Sequence, residues 1–245
     1  MESSQSSETK TINCMFKSYC GLKDNPELNG YCVLCRDKGL YYLISKHYLI
    51  KTLIPKIYLS KQIIELDLQG EATEALFYLD NIYKLVKEGK GMYCWGEQTG
   101  TGKTTVCSLA LLRFLFEDVQ ANPYMTDNRR VLYINTPEFL DRIRKSYSSE
   151  DESLEQLMEE LFDLYRAPKL ILFDDIGAEK STEWVQERLY SILNFRAANG
   201  LACLFTSNLS LDQLERKLGS RIASRIRGFT RDLKFSGKDH RRCTW

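Results

Sequence analysis

Between Ala72 and Glu88 apolar residues recur three and four positions apart, at Ala75, Leu76, Leu79, Ile82, Tyr83 and Val86 among others. That spacing lays a stripe along one side of a helix, and Gly89 and Gly91 predict its end. Four short apolar runs of another kind follow: Met92 to Trp95, Val131 to Asn135, Leu170 to Phe173 and Leu201 to Thr206. They predict buried strands. Helical patterns separate or follow them at Lys103 to Glu117, Pro137 to Tyr147, Leu154 to Tyr165 and Thr182 to Ala198, the last closed by Asn199-Gly200. Strand and helix alternate, which implies an α/β fold with a parallel sheet flanked by helices. Upstream, Tyr41 to Leu59 is rich in Tyr, Ile, Leu and Lys around Pro55 and reads as a connector that packs against something.

Composition narrows the class. A chain of 245 residues with 43% apolar content has room for one α/β domain and a small appendage. Thirty-four basic against 33 acidic residues leave no global electrostatic footprint for nucleic acid or membrane, so any basic surface must be local. Charge is nonetheless segregated: Glu150 to Asp163 carries seven acids and no base, and Arg216 to Arg242 ten bases against two acids. The start is Ser- and Glu-rich, and no apolar run approaches the roughly 20 residues that span a bilayer, which predicts a soluble intracellular protein. Of eight cysteines, Cys14, Cys20, Cys32 and Cys35 fall in the first 35 residues, whereas Cys94, Cys107, Cys203 and Cys243 are scattered. The contrast marks residues 1–60 as a separate module with its connector, and residues 61–245 as the main domain.

The strand at Met92 to Trp95 runs into Gly96-Glu97-Gln98-Thr99-Gly100-Thr101-Gly102-Lys103-Thr104-Thr105 and then an apolar helix. This is the context of a phosphate-binding P-loop, where glycines turn successive N–H groups onto phosphate oxygens at a helix N-terminus. Residues 100–105 are therefore the expected ATP-binding segment. Lys103 reaches the β- and γ-phosphates, and the Thr104 hydroxyl completes a Mg²⁺ shell. The strict pattern wants glycine at position 97, which is Glu97; Gly96 stands one residue early, as if the loop were one residue longer. Downstream, Leu170 to Phe173 ends in Asp174-Asp175, where a buried strand delivers carboxylates to its C-terminal edge. Asp174 is expected to hold Mg²⁺ through water, and Asp175 to orient or deprotonate the attacking water. An aspartate in place of the more usual glutamate there predicts slow hydrolysis. A third strand end, Thr206-Ser207-Asn208, places Asn208 to sense the γ-phosphate or hold the lytic water.

With Gly102-Lys103-Thr104-Thr105, Asp174-Asp175-Ile176-Gly177-Ala178-Glu179, Thr206-Ser207-Asn208, and the run from Leu218 to Arg225, the chain resembles the DnaC/DnaI helicase-loader branch of AAA+ ATPases over Gln62 to Trp245. The resemblance implies a P-loop NTPase core of the AAA+ type and an ATPase that loads a replicative hexameric DNA helicase onto single-stranded DNA in the cytoplasm of a bacterium or a phage-infected host. It makes Arg225 an arginine finger offered to ATP on a neighbouring subunit, supported by Arg221, and makes Arg241 a sensor-II arginine. Self-association then belongs to the mechanism, because a guanidinium from another subunit stabilises transition-state charge. The competing reading of Arg221, Arg225 and Arg227 is the solvated face of a short helix.

Cys14, Cys20, Cys32 and Cys35 supply four thiolates, enough to close a tetrahedral structural Zn²⁺ site. Turn formers between the two pairs let a short chain fold around metal; buried or incidental thiols, and an iron–sulfur cluster or redox role, are the alternatives. The resemblance also implies an N-terminal zinc-binding module that docks the helicase. Arg142, Arg144, Lys145 and Tyr147 form a candidate contact for single-stranded DNA, beside a core face of Phe139, Leu140 and Ile143. Two other functions stay open: an IstB-type transposition helper with a similar core, and a scaffold that binds ATP without hydrolysing it.

Overall fold

The computed structural model describes residues 53–59, 70–122, 130–147, 166–237 and 239. Helices α1 (Lys56–Leu59), α2 (Gly70–Asp80) and α3 (Ile82–Lys87) precede strand β1 (Gly91–Trp95). Then follow α4 (Lys103–Ala121), β2 (Val131–Asn135), α5 (Thr136–Tyr147), β3 (Leu170–Asp174) and α6 (Glu183–Ala198). The remaining elements are β4 (Ala202–Ser207), α7 (Leu211–Leu218), α8 (Ser220–Phe229) and β5 (Thr230–Lys234). The expected helix at Leu154 to Tyr165 lies outside the described residues.

The five strands form one parallel sheet in the order β2-β3-β4-β1-β5. Alternate side chains feed two cores. On one face Met92, Cys94, Leu170, Leu172 and Leu204 pack with α4 and with residues of α2 and α3. On the other Tyr93, Ile171, Phe173, Cys203 and Phe205 pack with α5, α6, α7 and α8. Burial on both faces is why β1 to β4 read as apolar runs.

The sequence pattern between residues 72 and 88 is one amphipathic stripe, but the structure divides it at Asn81, whose backbone leaves helical geometry (φ −110°, ψ 12°). Asn81 Nδ2 donates to the Phe77 carbonyl at 2.9 Å, a local bond that competes with the helical ladder. Strand β5 is an addition: in Thr-Arg-Asp-Leu-Lys only Leu233 is buried, and the segment is extended because it pairs with β1. Of the connector, residues 53–59 are described, and these pack against the main domain. Ile54 belongs to the core on the α4 face, and Tyr58 lies against it.

Candidate phosphate site

The chain leaves β1 at Trp95 and enters α4 at Lys103, so the glycine-rich loop sits at the C-terminal edge of the sheet. Gly100 and Gly102 have φ of 75° and 94°, the left-handed region that other residues rarely adopt. Gly102 is the N-cap of α4 and offers no side-chain acceptor, so the N–H groups of the first turn stay available to an anion. The Lys103 ammonium is drawn into the loop, donating to the carbonyls of Gly96 at 3.0 Å and Gln98 at 2.8 Å. Thr101 Oγ1 is buried and has no hydrogen-bond partner among the described residues. An orphaned hydroxyl, open helix amides and a buried ammonium fit a polyphosphate.

The displaced glycine has a physical reason. A Cβ on Gly96 would lie 2.2 Å from the Phe235 carbonyl oxygen, where the chain after β5 crosses the loop; Glu97 is exposed to solvent and meets no such constraint. The same returning segment brings the Asp239 carboxylate against Gly100, since an added Cβ there would fall 1.7 Å from Oδ1. Arg241, two residues further on, lies outside the described residues.

Register assembles the carboxylate side. Asn135 pairs with Asp174 and Phe173 with Phe205, so Tyr133, Asp174 and Thr206 project from the same face of β2, β3 and β4, the face that carries α4. Asp174 is buried, and both its oxygens are held: Tyr133 Oη donates to Oδ2 at 2.6 Å and Thr206 Oγ1 donates to Oδ1. Thr206 Oγ1 also accepts the Asp175 N–H at 2.9 Å. Asp175 has φ 56°, a strained value for a non-glycine residue and one that Asp tolerates better than most. Burial and the neighbouring Asp174 charge push the Tyr133 phenol well above its ordinary range, so it remains a donor. Tyr133 lies outside the sequence motifs, and Thr206 enters them only as the first residue of the Thr206-Ser207-Asn208 strand end, where the expected contact is Asn208; the role of either hydroxyl depends on the register. A buried carboxylate at the sheet edge where the glycine-rich loop and the first turn of α4 also lie offers oxygen ligands of the kind a hard divalent cation such as Mg²⁺ takes.

Beyond Asp175 the chain turns so that the Gly177 N–H donates to both oxygens of Glu179, at 3.2 and 3.0 Å, while Lys217 Nζ donates to the Gly177 carbonyl. Glu179 is buried, and burial raises its carboxyl above the usual value. Between the unfolded carboxylate range and the raised folded value, the folded protein retains a proton that the unfolded chain releases, so stability from this group falls as pH rises through that interval. Glu179→Gln is expected to raise the thermal midpoint at about pH 7 and to leave it unchanged at about pH 4. Equal midpoints for variant and parent at both pH values would contradict this.

The remaining candidates are placed as follows. Asn208 is exposed, one residue past β4. In α8, Ile222, Ala223 and Ile226 are buried while Arg221 and Arg225 are exposed, four positions apart on one side. Arg227 differs: its guanidinium is tied to Asp212 and Glu215, both at 2.6 Å. On α5, Phe139, Leu140 and Ile143 are buried as expected; Arg144 and Lys145 both pair with Asp141, leaving Arg142 exposed without an ion pair among the described residues. The Tyr147 side chain and Cys14, Cys20, Cys32 and Cys35 lie outside the described residues. Cys94, Cys107 and Cys203 are buried free thiols, so these scattered cysteines are core residues.

Residues 87–231, more than half of the chain, match the family model of the bacterial DnaA ATPase domain. The chain belongs to that family. As a DnaA-type ATPase domain it carries the ATP-binding P-loop and parallel sheet of AAA+ proteins, and the DnaC/DnaI resemblance read from its motifs is borne out. The replicative helicase loader DnaI of Bacillus subtilis (strain 168) is 26% identical over 172 residues, covering 65% of this chain and 50% of that protein. The match thus spans about half the length of this curated relative. A crystal structure of DnaI superposes with a TM-score of 0.60 at 23% identity, over 77% of this chain and 95% of the other. A crystal structure of the DnaC helicase loader gives 0.59 at 19% identity, over 74% and 100%. At these identities the two structures show a shared fold. No helix among the described residues is long and apolar enough to cross a membrane.

Proposed function

We propose that this protein is an ATP-dependent helicase loader, in which residues 1–60 dock a replicative hexameric helicase and residues 61–245 use ATP binding and hydrolysis to time its placement on single-stranded DNA. The observation that carries the reading is the convergence at one sheet edge of the Lys103 loop and the doubly held Asp174, on a chain similar to a protein named as a helicase loader. In this reading Lys103 binds the β- and γ-phosphates while Gly100, Thr101, Gly102 and Thr105 line the loop around them. Thr104 and Asp174 hold Mg²⁺, which neutralises phosphate charge when bound. Asp175 orients the attacking water, Asn208 reads the γ-phosphate, and Arg241 reaches the nucleotide from the C-terminal segment. Arg225 acts in trans on a neighbouring copy. Cys14, Cys20, Cys32 and Cys35 hold structural Zn²⁺ in the docking module.

Calorimetry on the full chain tests the nucleotide part. The parent is expected to bind ATP in the presence of Mg²⁺, and Lys103→Ala to bind about ten- to a hundred-fold more weakly, as the loss of a charge-assisted contact predicts. Turnover measured with and without a hexameric helicase and single-stranded DNA tests the loading part. A folded parent that gives no heat with ATP would overturn the reading.

A further inference from the structure

We propose that Tyr133 is a positioning residue for the Mg²⁺ carboxylate and that it links Asp174 to the connector at residues 53–59. The inference rests on the ATP-binding reading above and extends it to residues outside the motifs.

The argument begins with what a lone carboxylate on a strand tip would do. Asp174 can rotate about its own side-chain bonds, and a second-sphere acceptor of metal-bound water loses effectiveness when its oxygens are not held in place. In this protein each oxygen has a hydroxyl donor: Thr206 from β4 on one side and Tyr133 from β2 on the other. Each carboxylate oxygen has a second lone pair, so both remain able to accept from water in a metal shell. The two hydroxyls are not equivalent. Thr206 is also fixed by the Asp175 N–H and belongs to the site edge itself. Tyr133 reaches the carboxylate from deeper in the sheet, and its ring lies beside that of Tyr58, with centroids 6.5 Å apart and the planes tilted by 32°.

Tyr58 is in α1, which packs on α4, the helix that follows the phosphate loop. The connector therefore touches both halves of the site: the loop helix by direct packing and the carboxylate through Tyr133. A shift of the connector would change where the Tyr133 hydroxyl points without moving the strand backbone. Any partner that engages the chain on the N-terminal side of residue 53 thereby gains a route to the Mg²⁺ requirement of the nucleotide site.

The test measures ATP binding to the full chain as Mg²⁺ is varied, together with binding in excess EDTA and the melting midpoint. Tyr133→Phe keeps the ring and removes the hydroxyl. It is expected to raise the Mg²⁺ concentration for half-maximal ATP binding roughly ten-fold, the scale of second-sphere changes, while metal-free binding changes less than about two-fold. A purely structural role would lower the melting midpoint and weaken both kinds of binding together. Tyr58→Leu, which leaves the hydroxyl and removes the ring beside it, is expected to shift the requirement the same way by a smaller factor, and it serves should the Phe variant fail to fold. A Mg²⁺ requirement equal to the parent's in the folded variants overturns the proposal and leaves the ATP-binding reading intact. A parent without Mg²⁺-dependent ATP binding overturns that reading instead.

Discussion

Replacing Arg225 with alanine is expected to remove the part of ATP turnover that depends on self-association, by roughly a thousand-fold, as for other arginines supplied in trans. Helix α8 buries Ile222, Ala223 and Ile226, so Arg225 is turned outward and its loss should change folding stability by no more than about 0.5 kcal/mol. Arg227, two positions on, projects from a different side of the helix, where it pairs with Asp212 and Glu215. The measurement is steady-state turnover against protein concentration, with nucleotide affinity determined in parallel. Arg225→Lys is the informative control: it keeps the charge but not the planar fork, and is expected to recover only a minor part of the rate. If turnover still climbs with protein concentration in the alanine variant, Arg225 is simply a solvated residue.

A second large effect is expected far from the phosphates. Asp118, near the end of α4, has a carboxylate only 1% exposed, bonded to Arg130 at 2.7 Å and to Lys169 at 2.9 Å. Arg130 also donates to the carbonyls of Asp118 and Asn122. Arg130 and Lys169 immediately precede β2 and β3, so the cluster ties the end of α4 to the starts of two strands, at the edge opposite the phosphate loop. Asp118→Ala strands a buried guanidinium, which costs about 3–5 kcal/mol. For a domain of this size that lowers the thermal midpoint by about ten degrees. The denaturant midpoint checks it, and Asp118→Leu combined with Arg130→Met is expected to recover most of the loss, since the penalty comes from the unpaired charge. A single-variant loss under about 1 kcal/mol would show that water reaches the cluster.

What could be read without coordinates, and what could not, follows from where the information resides. The phosphate loop is legible because glycine, lysine and threonine at fixed spacing after a strand are demanded by local backbone chemistry. Strands β1 to β4 are legible because burial on both faces forces apolar residues at nearly every position. Strand β5 is not: four of its five residues are partly or fully exposed, and its conformation comes from pairing with β1. The division at Asn81 is not legible in the sequence, because the apolar stripe runs through it unbroken. The hydroxyls of Tyr133 and Thr206 are not legible as carboxylate donors, because that role depends on interstrand register, a property of segments about forty and thirty residues apart in sequence from Asp174. Gly96 was visible as a departure from the strict pattern, but its reason, the crossing of Phe235, is a long-range contact.

The backbone at Asp175 bears on why an aspartate stands where related ATPases more often have glutamate. With φ at 56° the residue occupies a conformation that short polar side chains enter at modest cost and longer ones resist, by about 1–2 kcal/mol. Lengthening the carboxylate by one methylene would extend its reach toward water while working against the peptide that presents it. Under the proposed role of Asp175 toward the attacking water, the choice of acid at this position is a compromise between chain geometry and chemical reach.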